Sequence, residues 1–281
     1  MDKSLDTGFF QNQAQDLLNS YESDKAVVIY KRLIAMTPKF PKHHYYWARI
    51  RGYQEKYQWS ELKFRETIIL DPQDPYTLNT MGIVFSNQGK YDEAISVFLK
   101  ALETPQLNPD VLLNLAITLT KKGDYEQALE WYGKALEANP LDGYIHNAMG
   151  YLWFLQGKYT DAVLKFDDAI KHDPSDEMPY FNKAMVFFYQ SGMEEESKSA
   201  FELGIQALRG GSVQKLHTLK ASVNTYNSEM SRVTKEREYA ENLEPEVRVN
   251  LEKIQKGLEY ILGLLVVEIE KLENLLKQPP L

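Results

Sequence analysis

Side chains that could carry out catalysis are few in this sequence. It contains five histidines, namely His43, His44, His146, His172 and His217. His43 and His44 are adjacent and would point in different directions on a helix, so they do not form a metal-binding pair. Asp167 and Asp168 are typical of a solvated helix surface, and the glycine, serine and histidine motifs of hydrolases, nucleotide-binding loops and zinc proteases are absent. We therefore expect no enzyme, no catalytic residue, no metal and no cofactor.

Charge and composition narrow the class of partner. The formal net charge is −8 and the sequence pI is about 5.3, whereas nucleic-acid binding requires a basic surface. Cysteine is absent, which excludes disulfide bonds. The most apolar run, 260–267, is shorter than the roughly 20 residues that span a bilayer, and residues 1–10 lack the apolar core of a secretion signal. We expect a cytoplasmic protein that neither binds nucleic acid nor crosses a membrane.

A 34-residue period organises the middle of the chain. Gly89, Gly123 and Gly157 lie 34 residues apart. The same step separates Tyr91, Tyr125 and Tyr159, then Ala94, Ala128 and Ala162, and then Phe98, Tyr132 and Phe166. A period of this length indicates a solenoid, in which each unit buries its apolar face against its neighbours.

Local signals predict two antiparallel helices in each unit. Gly89 is suited to ending the first helix, because glycine adopts a left-handed conformation at little cost. Asp92 falls in the first turn of the second helix, where the helix dipole favours an acid, and Pro174 would stop such a helix. Small residues such as Gly82 and Ala94 allow the two helix axes to approach closely.

These features resemble the tetratricopeptide repeat. The matching residues are Leu78, Met81, Gly82, Phe85, Ala94 and Phe98 in one unit, and His146, Met149, Gly150, Trp153, Ala162, Phe166 and Pro174 in another. The resemblance implies an all-α fold, a right-handed α-α superhelix of about six repeats over residues 7–210. The units are 7–40, 41–74, 75–108, 109–142, 143–176 and 177–210. The second unit departs from the pattern at Glu55, where the turn is expected to contain glycine.

Residues 211–281 lack the period and predict a long C-terminal helical hairpin. Apolar residues recur at steps of three and four, at Leu216, Leu219, Val223, Tyr226, Met230 and Val233, and again at Leu258, Leu262, Leu265, Ile269, Leu272 and Leu276. Pro245 is suited to starting the second helix. The hairpin could cap the last repeat, associate with another copy of the chain, or fold into the groove of the repeats and occlude it.

The resemblance also implies a binding surface, because in this family the first helix of each unit lines a concave groove. The register places on it an aromatic set that we predict to bind a partner: Tyr144, Asn147, Tyr151, Phe154, Phe181, Met185, Phe188 and Tyr189. A secondary basic and aromatic set at Lys42, Tyr45, Arg49 and Tyr53 would suit an acidic segment. The aromatic set could instead be covered by the C-terminal helices or be ordinary interhelix core, and the basic set could be a solvated surface.

Two functions follow as hypotheses. The first is a non-enzymatic scaffold that binds a peptide or helix of a partner protein in its groove. The second is an assembly protein that forms homo-oligomers through 211–281.

Overall fold

The computed structural model describes residues 3–19, 22–104, 109–190, 192–208, 212–238 and 245–277. Over these residues it forms fourteen α-helices and no strand, which confirms the all-α prediction. The helices are α1 (Lys3–Asn19), α2 (Ser23–Met36), α3 (Pro41–Tyr53), α4 (Tyr57–Leu70), α5 (Pro75–Asn87), α6 (Tyr91–Leu102), α7 (Asp110–Lys122), α8 (Tyr125–Ala138), α9 (Gly143–Leu155), α10 (Tyr159–His172), α11 (Met178–Tyr189), α12 (Glu194–Ala207), α13 (Ser212–Glu238) and α14 (Pro245–Lys277).

The chain divides into two compact units, Met1–Ala138 and Asn139–Leu281. From here on the first unit and the second unit mean these two parts of the chain, and the 34-residue units are called repeats. In the first unit α1 to α8 form four successive helix pairs, and each pair packs on the next through the contacts of α2 with α3, α4 with α5 and α6 with α7. In the second unit α9 pairs with α10 and α11 with α12, and α13 and α14 form a hairpin. Contacts between helices that are neighbours in sequence are the pattern expected of a solenoid.

A recurring aromatic residue fills the space within each pair. Phe64, Phe98, Tyr132 and Phe166 are at most 1% exposed, and burial of such a side chain stabilises the fold by about 1.5–3 kcal/mol. The opposing helix makes room for the ring: a Cβ atom on Gly82 would lie 2.5 Å from the ring of Phe98. The small residue and the aromatic residue of the repeat therefore occupy the same contact.

The turn inside each pair from α3 to α10 contains a left-handed residue. Gly89, Gly123 and Gly157 have φ angles of 77°, 93° and 73°, as their position in the repeat predicts. Glu55 occupies the equivalent turn between α3 and α4 with a φ of 57°. A side chain in this region is strained by roughly 1–2 kcal/mol, so this turn is held by the packing of the helices on either side of it.

Both helices of the hairpin bury a row of residues with heptad spacing. Leu219, Tyr226 and Val233 are buried on α13, and Leu251, Ile254, Leu258, Ile261 and Leu265 are buried on α14. Positions separated by alternating steps of three and four lie on one side of a helix. Of the predicted stripe of α14, Leu258 and Leu265 are buried, and Leu262, Ile269 and Leu272 are half-buried. The side chain of Leu276 lies outside the described residues, and Ile254 and Ile261 also belong to the buried row.

Candidate partner-binding surface

The predicted aromatic surface lies on α9 and α11, in the second unit. We call groove face the set Tyr144, Asn147 and Tyr151 of α9 together with Asn182, Met185, Phe188 and Tyr189 of α11. Tyr144 is 54% exposed and Phe188 is 37% exposed. The remaining residues of the face are half-buried or buried, and what covers them determines what the face can bind.

Phe154 and Phe181, which were predicted for the same surface, lie behind it. Both are at most 1% exposed. The ring of Phe181 stacks on Phe201 of α12, with centroids 5.0 Å apart, and Phe154 packs against the rings of Tyr159 and Tyr189. These two residues support the groove face from the interior of the helix pairs.

Helix α14 packs on the α11 part of the groove face. The ring of Phe188 stacks on that of Tyr260, with centroids 4.2 Å apart and planes 14° apart. The amide of Gly257 donates a hydrogen bond of 2.8 Å to the hydroxyl of Tyr189. A Cβ atom at Gly257 would lie 2.5 Å from the ring of Tyr189 and 2.9 Å from Met185. The two helices can approach this closely because glycine has no side chain.

Helix α13 contacts the polar part of the groove face. The hydroxyl of Tyr226, which is 3% exposed, donates a hydrogen bond of 3.0 Å to Oδ1 of Asn182. The side-chain amide of Asn182 in turn donates a bond of 3.0 Å to Oδ1 of Asn147. Burial raises the pKa of Tyr226 far above its ordinary value, so the hydroxyl stays protonated and remains a donor. The chain of bonds links α13, α11 and α9.

A carboxylate from α13 also reaches the face. The hydroxyl of Tyr151 donates to Glu229, and Arg232 pairs with the same carboxylate, with its Nε atom 3.0 Å from Oε2. Burial is the largest cause of a pKa well above the ordinary value for Tyr151, and the neighbouring Glu229 raises it further. Tyr151 of the groove face therefore binds an acidic residue of α13.

The hairpin therefore contacts both helices of the last repeat and part of the groove face, and these contacts fit either a cap on that repeat or occlusion of the groove. The residues that make them, Tyr226, Glu229, Gly257 and Tyr260, were not identified from the sequence as site residues. Gly257 carried a usable signal, since an isolated glycine inside a strong helical pattern often marks close packing. The contacts do not address association with a second copy of the chain.

The secondary set lies on α3, in the first unit, and we call Lys42, Tyr45, Arg49 and Tyr53 the α3 surface. Lys42 is exposed and Tyr53 is 69% exposed. The guanidinium of Arg49 lies 5.7 Å from the ring centroid of Tyr45. The hydroxyl of Tyr45 bonds to Oγ1 of Thr80 on α5 at 3.2 Å. The four residues follow one side of the helix, because their spacing of three or four matches its pitch.

The histidines have structural surroundings. His43 bonds to Gln11 at 2.7 Å and to Thr37 at 2.8 Å, and the ring of His146 stacks on that of His172 at 5.1 Å. Within the described ranges no group of three histidine, aspartate or glutamate residues is arranged to hold a metal ion. Every helix in the same ranges is too short or too polar to cross a bilayer.

Comparison with known proteins agrees with this architecture. Residues 87–151 match the family model described as tetratricopeptide repeat. The chain resembles PilF of Pseudomonas aeruginosa with a TM-score of 0.59 and 17% identity, covering 79% of this chain and 100% of that one. It resembles PilW, a type IV pilus biogenesis factor, with a TM-score of 0.62 and 17% identity, covering 69% and 90%. A tetratricopeptide repeat protein of Parabacteroides merdae gives a TM-score of 0.58 and 16% identity, covering 90% and 98%.

No curated protein matches the sequence. The structural likenesses are distant in sequence and show the fold. Stacked helix pairs of this kind define an α-helical solenoid. Residues 87–151 are therefore tetratricopeptide repeats, and the helix pairs before and after them continue the same architecture.

Proposed function

We propose that this protein is a non-enzymatic scaffold that holds a helical or extended segment of a partner protein on the groove face. The tetratricopeptide fold supports a role in protein–protein interaction in general. The observation that carries the finer proposal is that two helices of the chain itself already lie on this face. Aromatic stacking on Phe188, close approach at Tyr189 and hydrogen bonding to Asn182 are contacts that a partner helix could make in the same way.

The exposed parts of the face give a partner its first contact. Tyr144 and the free part of Phe188 are accessible while α13 and α14 are in place. Aromatic side chains make effective anchors, because they bury a large area with few rotatable bonds to immobilise. Complete binding across Tyr151 and Asn182 would require α13 to leave. The apparent affinity for a partner is then the intrinsic affinity multiplied by the fraction of chains whose face is uncovered.

Displacing the hairpin should therefore reveal the partner. The variant Gly257→Ala places a methyl group against the ring of Tyr189, whereas Gly263→Ala on the same helix meets no atom within 4 Å. We expect Gly257→Ala to capture more of a specific protein from native lysate than either the wild type or Gly263→Ala. Adding Phe188→Ala to Gly257→Ala should remove that protein, since an anchor of this kind contributes about 2 kcal/mol or more to binding.

A partner captured in equal amounts by all the folded variants, including the one with Phe188→Ala, does not bind the groove face. Circular dichroism at each step verifies that the variants retain their helices.

A second candidate function is homo-oligomeric assembly through residues 211–281. Val266 and Val267 of α14 are 46% and 51% exposed, and adjacent exposed apolar residues on a heptad-patterned helix favour pairing with a second copy. Sedimentation equilibrium of the wild type and of Val267→Lys at high micromolar concentration tests it. A monomeric mass for the wild type excludes this function.

A further inference from the structure

The α3 surface repeats, in the first unit, the geometry that holds α13 in the second unit. Three repeats separate Tyr151 from Arg49, Asn147 from Tyr45 and Asn182 from Thr80. The hydrogen bond between Asn147 and Asn182 has its counterpart in the bond between Tyr45 and Thr80. Both bonds join residues 35 positions apart on successive first helices. The helices α3 and α5 are therefore related to each other as α9 and α11 are.

Arg49 occupies the position at which the second unit recognises a carboxylate. In the second unit Tyr151 donates its hydroxyl proton to Glu229 of α13. A guanidinium at that position is a stronger ligand for the same group, because its planar fork binds both carboxylate oxygens and its charge is permanent. Arg49 therefore occupies the position equivalent to Tyr151 and binds a carboxylate more strongly than a tyrosine hydroxyl does.

The side chain of Arg49 is held in place by aromatic rings, without a carboxylate partner among the described residues. It lies 5.7 Å from the ring centroid of Tyr45 and 5.1 Å from that of Tyr46, and Tyr46 is itself stacked on Tyr30. Among the described residues no carboxylate pairs with Arg49, whereas Arg51, two residues further on, pairs with Asp24 at 3.1 Å. An arginine fixed on aromatic rings loses little side-chain entropy when it binds an anion.

We propose that the α3 surface binds an acidic helix of a partner protein, with a glutamate or aspartate of that helix paired to Arg49. This inference rests on the proposed scaffold function and assigns it a second surface with its own ligand chemistry. Lys42 adds a second positive charge about one turn from Tyr45 and two turns from Arg49, and Tyr53 offers an exposed ring at the other end of the same stripe. A helix with acids at intervals of three or four residues matches this spacing.

The test uses the full chain and two synthetic peptides. One is a fluorescent alanine-based helical peptide with glutamate at every fourth position, and the other carries glutamine at the same positions. Fluorescence anisotropy measures their binding to the wild type, to Arg49→Gln and to Arg65→Gln. Arg65 is an exposed arginine on α4, so its substitution matches the residue type and the change in net charge.

We expect the glutamate peptide to bind the wild type at least about tenfold more tightly than the glutamine peptide, since a charge-assisted bidentate pair is lost. Arg49→Gln should weaken binding by about tenfold and Arg65→Gln by less than about twofold. The difference should shrink as salt is added, because the surface is partly exposed.

Four outcomes would overturn the inference. They are equal binding of the two peptides, equal loss in the two variants, binding of a single-stranded oligonucleotide with the same dependence on Arg49, and a change in the oligomeric mass of the chain caused by Arg49→Gln. The last two would assign the surface to a nucleic acid or to a second copy of the chain. All these experiments concern α3, so their failure leaves the test of the groove face on Gly257 and Phe188 unaffected.

Discussion

Substitution of the two glycines of α14 measures how firmly the hairpin is docked. Alanine at either position increases helix propensity by about 0.5–1 kcal/mol. At Gly263 no atom lies within 4 Å of the new methyl group, so that gain should be retained. At Gly257 the methyl group would lie 2.5 Å from Cε2 and 2.8 Å from the hydroxyl oxygen of Tyr189. The two variants therefore share one term and differ in the other.

The ring of Tyr189 has little room to move away. It is stacked on Tyr159 at 6.2 Å and lies 5.4 Å from the ring of Phe154 and 5.8 Å from that of Phe188. Overpacking at such a site costs about 1–3 kcal/mol, and loss of the hydrogen bond from the Gly257 amide costs about 1 kcal/mol more. After the propensity gain, Gly257→Ala should weaken docking of α14 by about 1–3 kcal/mol.

Hydrogen–deuterium exchange measured by mass spectrometry reads this free energy directly. A tenfold change in exchange corresponds to about 1.4 kcal/mol, so peptides covering residues 251–265 should exchange roughly ten to a hundred times faster in Gly257→Ala. In Gly263→Ala they should exchange at the wild-type rate or more slowly. Helices α5 and α7 of the first unit serve as an internal control. Equal exchange in the two variants would show that the contact at Tyr189 does not hold the hairpin.

Three further predictions concern single side chains. Glu55→Gly should raise the urea midpoint, with a gain of about 0.5–1 kcal/mol, because it relieves a left-handed residue; a lower midpoint would contradict strain in that turn. Tyr226→Phe should destabilise the second unit by about 1–2 kcal/mol by leaving Asn182 without its donor, and an unchanged exchange rate of α13 would refute the role of that bond. Burial lowers the pKa of His146 below 6.5, so the unfolded chain binds the proton first and stability should fall as the pH drops from about 7.5 to 5.5. His146→Gln should lose less stability over that interval, and an identical loss in urea titrations at both pH values would remove His146 as the cause.

The helix pairs could be predicted from sequence because their determinants are local. Gly89 marks a turn and Phe98 marks a buried contact within one 34-residue repeat, and the same residue types recur in the repeats that follow. The position of Glu55 in the turn could likewise be read from the register alone. Its left-handed conformation follows from the geometry of its neighbours.

The state of the groove face could not be predicted in the same way. Phe181 and Phe188 are both apolar and lie two turns apart on one helix, yet the first is buried in the core and the second stacks on α14. On α14 the apolar residues form two adjacent rows. The predicted row contains Leu262, which is half-buried, whereas Ile261 of the other row is buried. Which row faces inward depends on residues far away in the chain, and periodicity carries no information about them.

The distance along the chain between the groove face and its cover has a consequence during synthesis. The hydrogen bond between Tyr189 and Gly257 joins residues 68 positions apart, whereas each helix pair is complete within a single repeat. A pair can therefore pack on the preceding pair soon after it leaves the ribosome, whereas the face on α11 stays uncovered until α14 has been synthesised. At about 5–20 residues per second, synthesis of these 68 residues lasts roughly 3–14 s. During this time the hairpin does not cover the aromatic face, so a partner of the kind proposed would not have to displace α13 and α14.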